Sequence, residues 1–287
     1  MPKGTYTLTI EPVNEDRNDE SYQRYSNSNS MNSAPRNSPP KPKFAKRVYE
    51  ITVEDKDLSE IVVELGYGAT VSGTVMTENN QEMPSVINVA AHNEKNEEVD
   101  ASTTVYNGLE NGMGRESSQP KKTNRDFKLE GVAEGKTEFK ILINDDNFYV
   151  KSAMFNGTDL LANPIELKEG ETLRNVQIVV AKGTGTLKGV VLDNAKTPVK
   201  NVQFNLVPTN AAKRKNLSFY RAAKTDATGE FELKAAPAEY AIVFDSEEYA
   251  AKRGDEFARW LDEAVKDAVK VTIKSNEIEK ISLTAPK

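Results

Sequence analysis

Polar and apolar residues alternate in short runs along most of this chain, at the period of two that marks a strand with one face buried. Thr5, Thr7 and Thr9 alternate with Tyr6, Leu8 and Ile10, and runs of the same kind at 47–53, 59–65, 139–143, 148–155, 175–180, 269–274 and 280–285 each predict a strand. One stretch breaks the rule. Phe257, Trp260, Leu261, Ala264 and Val265 recur at three-and-four spacing with Asp255, Glu256, Asp262 and Glu263 opposite, which predicts an amphipathic helix over 246–268 with Trp260 as its packing anchor.

The strands belong to a pattern that appears whole once and worn twice. Its full copy runs through Gly185-Thr186-Leu187-Lys188-Gly189-Val190-Val191, Thr197-Pro198-Val199, the 202–206 strand, Thr225-Asp226-Ala227-Thr228-Gly229-Glu230-Phe231-Glu232-Leu233 and Glu239-Tyr240-Ala241-Ile242-Val243-Phe244. A damaged copy precedes it, with Gly68-Ala69-Thr70-Val71-Ser72-Gly73-Thr74-Val75, Met83-Pro84, the 87–91 strand, Asp126-Phe127-Lys128-Leu129 and the 136–141 strand. Gly73 answers Gly189 and Phe127 answers Phe231, a full domain length apart and well beyond the roughly 20–50 residues of a solenoid repeat. Residues 3–10 read as the back half of a third copy.

The expected architecture is all-β: tandem Ig-like, prealbumin-like β-sandwich modules with one helix near the C-terminus. The modules are placed at 1–66 (the C-terminal half of one), 67–182 and 183–287. Two insertions interrupt them. Residues 14–43, rich in Asn and Ser and ending in Ser38-Pro39-Pro40-Lys41-Pro42, cannot bury enough apolar surface to offset ordering entropy and are expected to be disordered. Residues 93–122, dense in turn formers around Tyr106-Asn107-Gly108, are expected to loop out of the second sandwich. Because the pattern opens inside a repeat, Met1 is expected to begin a fragment of a longer product.

Composition narrows the function classes. With 38 Lys and Arg against 44 Asp and Glu, a net charge of -6 and both signs interspersed, the clustered basic face that nucleic acid requires is missing, so no nucleic-acid partner is expected. Zero cysteines remove disulfides and thiolate metal sites. No apolar run approaches the roughly 18 residues of a membrane span.

Candidate chemistry is sparse. A single histidine, His92, excludes most acid-base, nucleophilic and zinc schemes and reads as a surface residue near a strand end. Asn144-Asp145-Asp146-Asn147 and the Glu166, Glu169, Glu171 group carry oxygen ligands in a row, whereas calcium takes about six to eight at staggered positions, so both read as acidic turns and no metal or cofactor is expected. The Thr225 to Phe231 segment reads as a hairpin turn in which Asp226 bonds nearby amides and Gly229 takes positive φ. Lys188 and Glu232 could begin a Lys-to-Asn isopeptide cross-link, but the last strand carries no Asn to accept it.

The Gly185 to Val191 strand, Thr197-Pro198-Val199, Thr225-Asp226-x-x-Gly229-x-Phe231-x-Leu233 and the closing Tyr240 strand resemble the carboxypeptidase regulatory-like domain, a transthyretin-like sandwich of bacterial surface and secreted proteins. The match is good over 183–287, partial over 68–181 and limited to half a module over 1–65. The second copy departs from it at Thr123-Asn124-Arg125-Asp126, which has no glycine. The resemblance implies seven strands, a non-catalytic role, a bacterial extracellular or cell-surface location and a place among carbohydrate-binding-like folds. Two readings follow: a spacer, stalk or assembly unit, with self-assembly through edge strands or another surface protein as partner, and a carbohydrate-binding module. The second needs exposed aromatics. The candidates are Tyr67, Phe148, Tyr149, Phe219, Tyr220 and Tyr249, with Phe219, Tyr220 and Tyr149 favoured. A hydrolase would need a carboxylate pair that the sequence gives no means of assigning.

Overall fold

The computed structural model describes residues 2–10, 44–54, 61–93, 101–107, 125–214, 216–246, 252 and 254–286. Two complete sandwiches follow a two-stranded hairpin. The hairpin pairs β1 (Gly4–Ile10) with β2 (Arg47–Val53) antiparallel, Leu8 opposite Tyr49.

The first sandwich contains β3 (Ala69–Thr77), β4 (Val86–Asn93), β5 (Ala101–Tyr106), β6 (Asp126–Val132), β7 (Gly135–Ile143), β8 (Phe148–Phe155), β9 (Thr158–Asp159), β10 (Ile165–Leu167) and β11 (Thr172–Lys182). Its sheets have the orders β6-β3-β11-β8-β9 and β10-β7-β4-β5. The second contains β12 (Gly185–Leu192), β13 (Gln203–Pro208), β14 (Arg221–Lys224), β15 (Glu230–Ala235), β16 (Ala238–Phe244), β17 (Val269–Ile273) and β18 (Ile278–Thr284), in the orders β15-β12-β18 and β14-β13-β16-β17. Strand for strand the two share one topology, including a last strand parallel to the first, β11 on β3 and β18 on β12. The second sandwich has the seven strands expected of it, and the first has two more, the β8–β9 hairpin. In chain order that hairpin stands where the second sandwich has its Gly254–Asp267 helix, but it extends the β3–β11 sheet.

The alternation noted along the strands is the core pattern. Val71, Val75, Ile87, Val89, Leu129, Ile141 and Ile178 close the first interior, and Leu187, Val191, Phe204, Leu206, Phe231, Tyr240 and Ile273 the second. The paired glycines and phenylalanines of the repeat meet across strands, Gly73 opposite Phe127 and Gly189 opposite Phe231. A Cβ at either glycine would lie 2.8 Å from the facing ring and closer still to a carbonyl oxygen of the last strand, Val176 or Ile281. Glycine is required there by close approach, and the ring covers the backbone it leaves bare.

The helix packs Leu261 and Val265 onto Val207, Ala241 and Val243 of β13 and β16, outside the sandwich interior. Trp260 is half-buried in this cluster and stacks on Phe257 at 5.9 Å, so it is a packing residue.

Three expectations need correction. The helix spans Gly254–Asp267 rather than 246–268; Ser246 is not helical, and 247–251 and 253 lie outside the described residues. The 93–122 insertion is not wholly looped out, because Asn93 ends β4 and Ala101–Tyr106 forms edge strand β5 with Val105 buried. The strand reads Ala-Ser-Thr-Thr-Val-Tyr, small and hydroxylated residues standing for most of the large apolar ones, so the period-two signal is faint. Residues 61–65 enter no sheet, although their sequence is strand-like. The expected disorder of 14–43, the remainder of 93–122 and Tyr249 fall outside the described residues.

Candidate functional site

The region where the most polar and aromatic residues converge is the joint between the two sandwiches. Its chain link is two residues long, Gly183 and Thr184, between β11 and β12. Gly183 sits at φ 109°, and its N–H donates to Asn147 O at 2.8 Å. Thr184 Oγ1 donates to Asp146 O at 2.6 Å, Ser275 Oγ donates to Gly183 O at 2.8 Å, and Lys234 Nζ donates to Asn147 Oδ1 at 2.7 Å. The 144–147 turn of the first sandwich is thus bonded to the link and to Lys234 of β15, and the link in turn to the Ser275 loop of the second. The same turn is closed internally, with Asp145 Oδ1 accepting from the Asn147 backbone and side-chain amides, both at 2.9 Å.

A second bridge comes from the segment between β13 and β14. Asn210 Oδ1 accepts from the N–H groups of Ala212 and Lys213 at the start of the helical turn Ala211–Arg214, which the sequence then leaves for a 3-10 turn, Leu217–Phe219. Between the two turns, buried Asn216 sends Nδ2 into the first sandwich, donating to Phe139 O at 3.1 Å and Leu161 O at 3.2 Å. Its Oδ1 accepts from Ser218 N at 3.0 Å and Ser218 Oγ at 2.6 Å, so both donors and both lone pairs of the amide are used. Phe219 packs against the first sandwich's core beside it. The Arg214 guanidinium bonds Asp262 of the helix at 2.8 Å and the carbonyls of Pro208 and Thr209, which fastens the helix to the bridging segment.

Between the two bridges lies a crevice of about 130 Å³, lined in part by Asp145, Tyr149, Phe219, Arg221, Lys234 and Tyr240. Two of the three favoured aromatics, Tyr149 and Phe219, therefore share one cleft. Tyr220 does not line it: its ring packs with the helix cluster and its hydroxyl donates to Arg214 O at 2.6 Å. All three are half-buried, and Phe148 is buried in full, while Tyr67 is exposed and stacked on Phe44 at the far end of the first sandwich. Burial raises the pKa of the Tyr149 hydroxyl, with the Glu78 carboxylate adding to it. Burial pushes that of Tyr240 up to about 12, and its hydroxyl donates to Ala236 O at 3.0 Å.

Elsewhere the polar residues singled out in the sequence serve the fold. Asp226 Oδ1 accepts from Thr228 Oγ1, Thr228 N and Glu230 N at 2.7–2.9 Å, Gly229 lies at φ 77°, and the Thr228 and Glu230 bonds hold the carboxyl below its usual range. Lys188 and Glu232 face each other across β12 and β15 at 2.8 Å on the exposed sheet face, and line an open depression of about 630 Å³ together with Lys224, Glu230 and Lys280. His92 is half-buried on β4 opposite Glu138. Glu169 Oε1 accepts from Tyr67 N, and Glu171 Oε2 from Lys168 N. Among the described residues no three histidine or acidic side chains gather as a metal site would require. Asn216 was not visible as a site residue from sequence; its only signal is its place just ahead of the Phe219-Tyr220 pair.

These sheets and this joint define a tandem β-sandwich protein. No family model matches the chain, and no curated protein matches it, so the likeness to carboxypeptidase regulatory-like domains rests on its motif residues alone. Among solved structures, the TIE protein of Bacillus anthracis is 17% identical over 83% of this chain and 38% of its own, with a TM-score of 0.26. A streptococcal ancillary pilin is 9% identical over 100% of this chain and 76% of its own, at 0.30, and the minor pilin GBS52 of Streptococcus agalactiae is 12% identical over 77% and 98%, at 0.28. The chain thus spans well under half the length of the TIE protein. Superpositions this loose carry no argument about function, and the fold is read from the sheets themselves.

Proposed function

We propose that the chain is a non-catalytic repeat protein of the bacterial cell surface or extracellular space, in which bonded sandwiches act as a spacer, stalk or assembly unit. The surface location is taken from the motif resemblance. The observation that carries the mechanical role is the joint: Asn216 spends its whole hydrogen-bonding capacity at the boundary, two of its four bonds on backbone carbonyls of the neighbouring sandwich. A binding module needs only one sandwich and has no use for that investment. Buried, fully satisfied polar contacts of this kind fix one geometry where apolar contact alone would tolerate several.

A glycan-binding reading draws on the pairing of Tyr149 with Phe219 in the crevice. The size of that crevice favours the spacer reading, because about 130 Å³ is well below the roughly 300–1,000 Å³ of small-molecule pockets. A glycan-array screen of the full chain tests the choice. The spacer reading expects no saturable binding; binding that is lost in Tyr149→Ala while the joint stays intact would replace it with a carbohydrate module.

A further inference from the structure

The crevice at the joint carries charges that the two bridges leave unused. The first sandwich brings Asp145 and Asp146 to it from the turn after β7, with Tyr149 of β8. The second brings Arg221 of β14, Lys234 of β15 and Tyr240 of β16. Carboxylates thus come from one sandwich and cations from the other. Among the described residues none of Asp145, Asp146, Arg221 and Lys234 belongs to an ion pair.

Each charge is anchored without being neutralised. Arg221 donates through Nη1 alone, to Ser218 O at 2.9 Å and Tyr220 O at 2.7 Å, which leaves Nη2 and Nε without an acceptor among the described residues. Lys234 Nζ donates to the neutral Asn147 Oδ1. Asp145 uses only Oδ1, on the two amides of Asn147, and Asp146 is held by its main-chain carbonyl while its carboxylate makes no bond among the described residues. Arg221 is half-buried, and at the Tyr240 hydroxyl its charge opposes the upward pKa shift that burial causes. A cation taken partly out of water costs free energy until an anion meets it. Size limits what can enter. A cavity of about 150 Å³ holds benzene, a molecule of six heavy atoms, and the crevice measures about 130 Å³. A hexose, with twice as many, does not fit. A bare anion would suit Arg221 and Lys234 but face Asp145 and Asp146, and a bare cation would meet the reverse fault. A molecule carrying both charges on one carbon suits both walls.

We propose that the crevice is a binding site for a free α-amino acid of the size of glycine or alanine, its carboxylate between Arg221 and Lys234 and its ammonium group toward Asp145 and Asp146. Phe219 and Tyr149 complete the lining around the α-carbon, and the volume shuts out longer side chains. The charged partners are in part open to solvent, so affinity is weak, with a dissociation constant on the order of 1 mM. The ligand touches both sandwiches and therefore stabilises their junction when bound. Binding requires only the geometry of the joint and goes beyond the spacer role.

Titration of the isotope-labelled full chain with L-alanine at low ionic strength, followed by amide NMR, tests the proposal. Saturable shifts are expected at 145–149, 219–221 and 234, and not on the β4–β5 face. Acetate and methylammonium, which carry one charge each, should bind at least about tenfold more weakly, and leucine should leave these amides unmoved. Arg221→Gln should weaken alanine binding about tenfold or more. Arg221 also braces the 218–220 turn, so Asp146→Asn, which removes a carboxylate with no bond to lose, gives a second reading and should weaken binding several-fold. Lys188→Gln, on the outer face of β12, should bind alanine like the parent. No saturable shift up to about 50 mM alanine would overturn the proposal. So would shifts that map away from the joint, acetate binding as tightly as alanine, or affinity unchanged in both Arg221→Gln and Asp146→Asn.

Discussion

Replacing Asn216 by alanine removes the bridging segment's hold on the first sandwich while leaving both interiors intact. Four hydrogen bonds disappear, of which the two from Ser218 are open to replacement by water and the two to Phe139 O and Leu161 O are buried. Each lost bond is worth about 0.5–1.5 kcal/mol and each stranded buried acceptor about 1–3 kcal/mol, so the coupling between sandwiches should fall by about 2–4 kcal/mol. In a unit of this size that is a shift on the order of 10 °C. Scanning calorimetry reads it directly. The parent is expected to unfold its two sandwiches in one concerted transition, and Asn216→Ala in two, the lower of them several degrees below the parent. Asn216→Asp should do at least as much harm, since a carboxylate then faces two carbonyl oxygens. A variant that keeps a single transition within about 1 °C of the parent would refute the reasoning, because the bridge would then carry no energy.

Three further expectations do not involve Asn216. Gly189→Ala drives a Cβ into Ile281 O and the Phe231 ring and should destabilise the second sandwich by about 1–3 kcal/mol, measured by urea unfolding. Tyr240 has a folded pKa of about 12 against an ordinary 10.0, so its contribution is complete below pH 10 and lost as pH rises to 12. The loss amounts to about 2–3 kcal/mol, and Tyr240→Phe should flatten that limb of the stability profile. Asp226 has the opposite sign: its lowered pKa adds stability above the ordinary carboxylate range that is lost as pH falls through the folded value, and Asp226→Asn should remove that part of the acid dependence.

Much of the fold was legible because its determinants are local or repeated. Asp226 and Gly229 announce a turn through their own backbone chemistry, and they form it, although it carries the chain from β14 in one sheet to β15 in the other and does not close the expected hairpin. Gly73 with Phe127 and Gly189 with Phe231 were matched as repeat positions, and the structure gives the reason, one ring covering one bare backbone in each copy. What stayed hidden depends on partners distant in sequence. β5 is an edge strand of small and hydroxylated residues, and its burial of Val105 is set by β4. Residues 61–65 have strand sequence without strand structure, since a ladder needs a second strand. Tyr149 and Phe219 reach one crevice only because two sandwiches meet there, and Asn216, a polar residue in a polar loop, gives no local sign that its amide ends inside another module.

The distance between the sandwiches in solution tests the central claim most directly. The chain has no native cysteine, so Ser102→Cys on β5 and Glu279→Cys on β18, both exposed, can carry spin labels without further change. Pulsed dipolar spectroscopy of the doubly labelled chain should give one narrow distance distribution, broadened when Asn216→Ala is added. A distribution already broad in the parent would contradict the account, for the sandwiches would then swing freely and the bonded joint would not set their geometry.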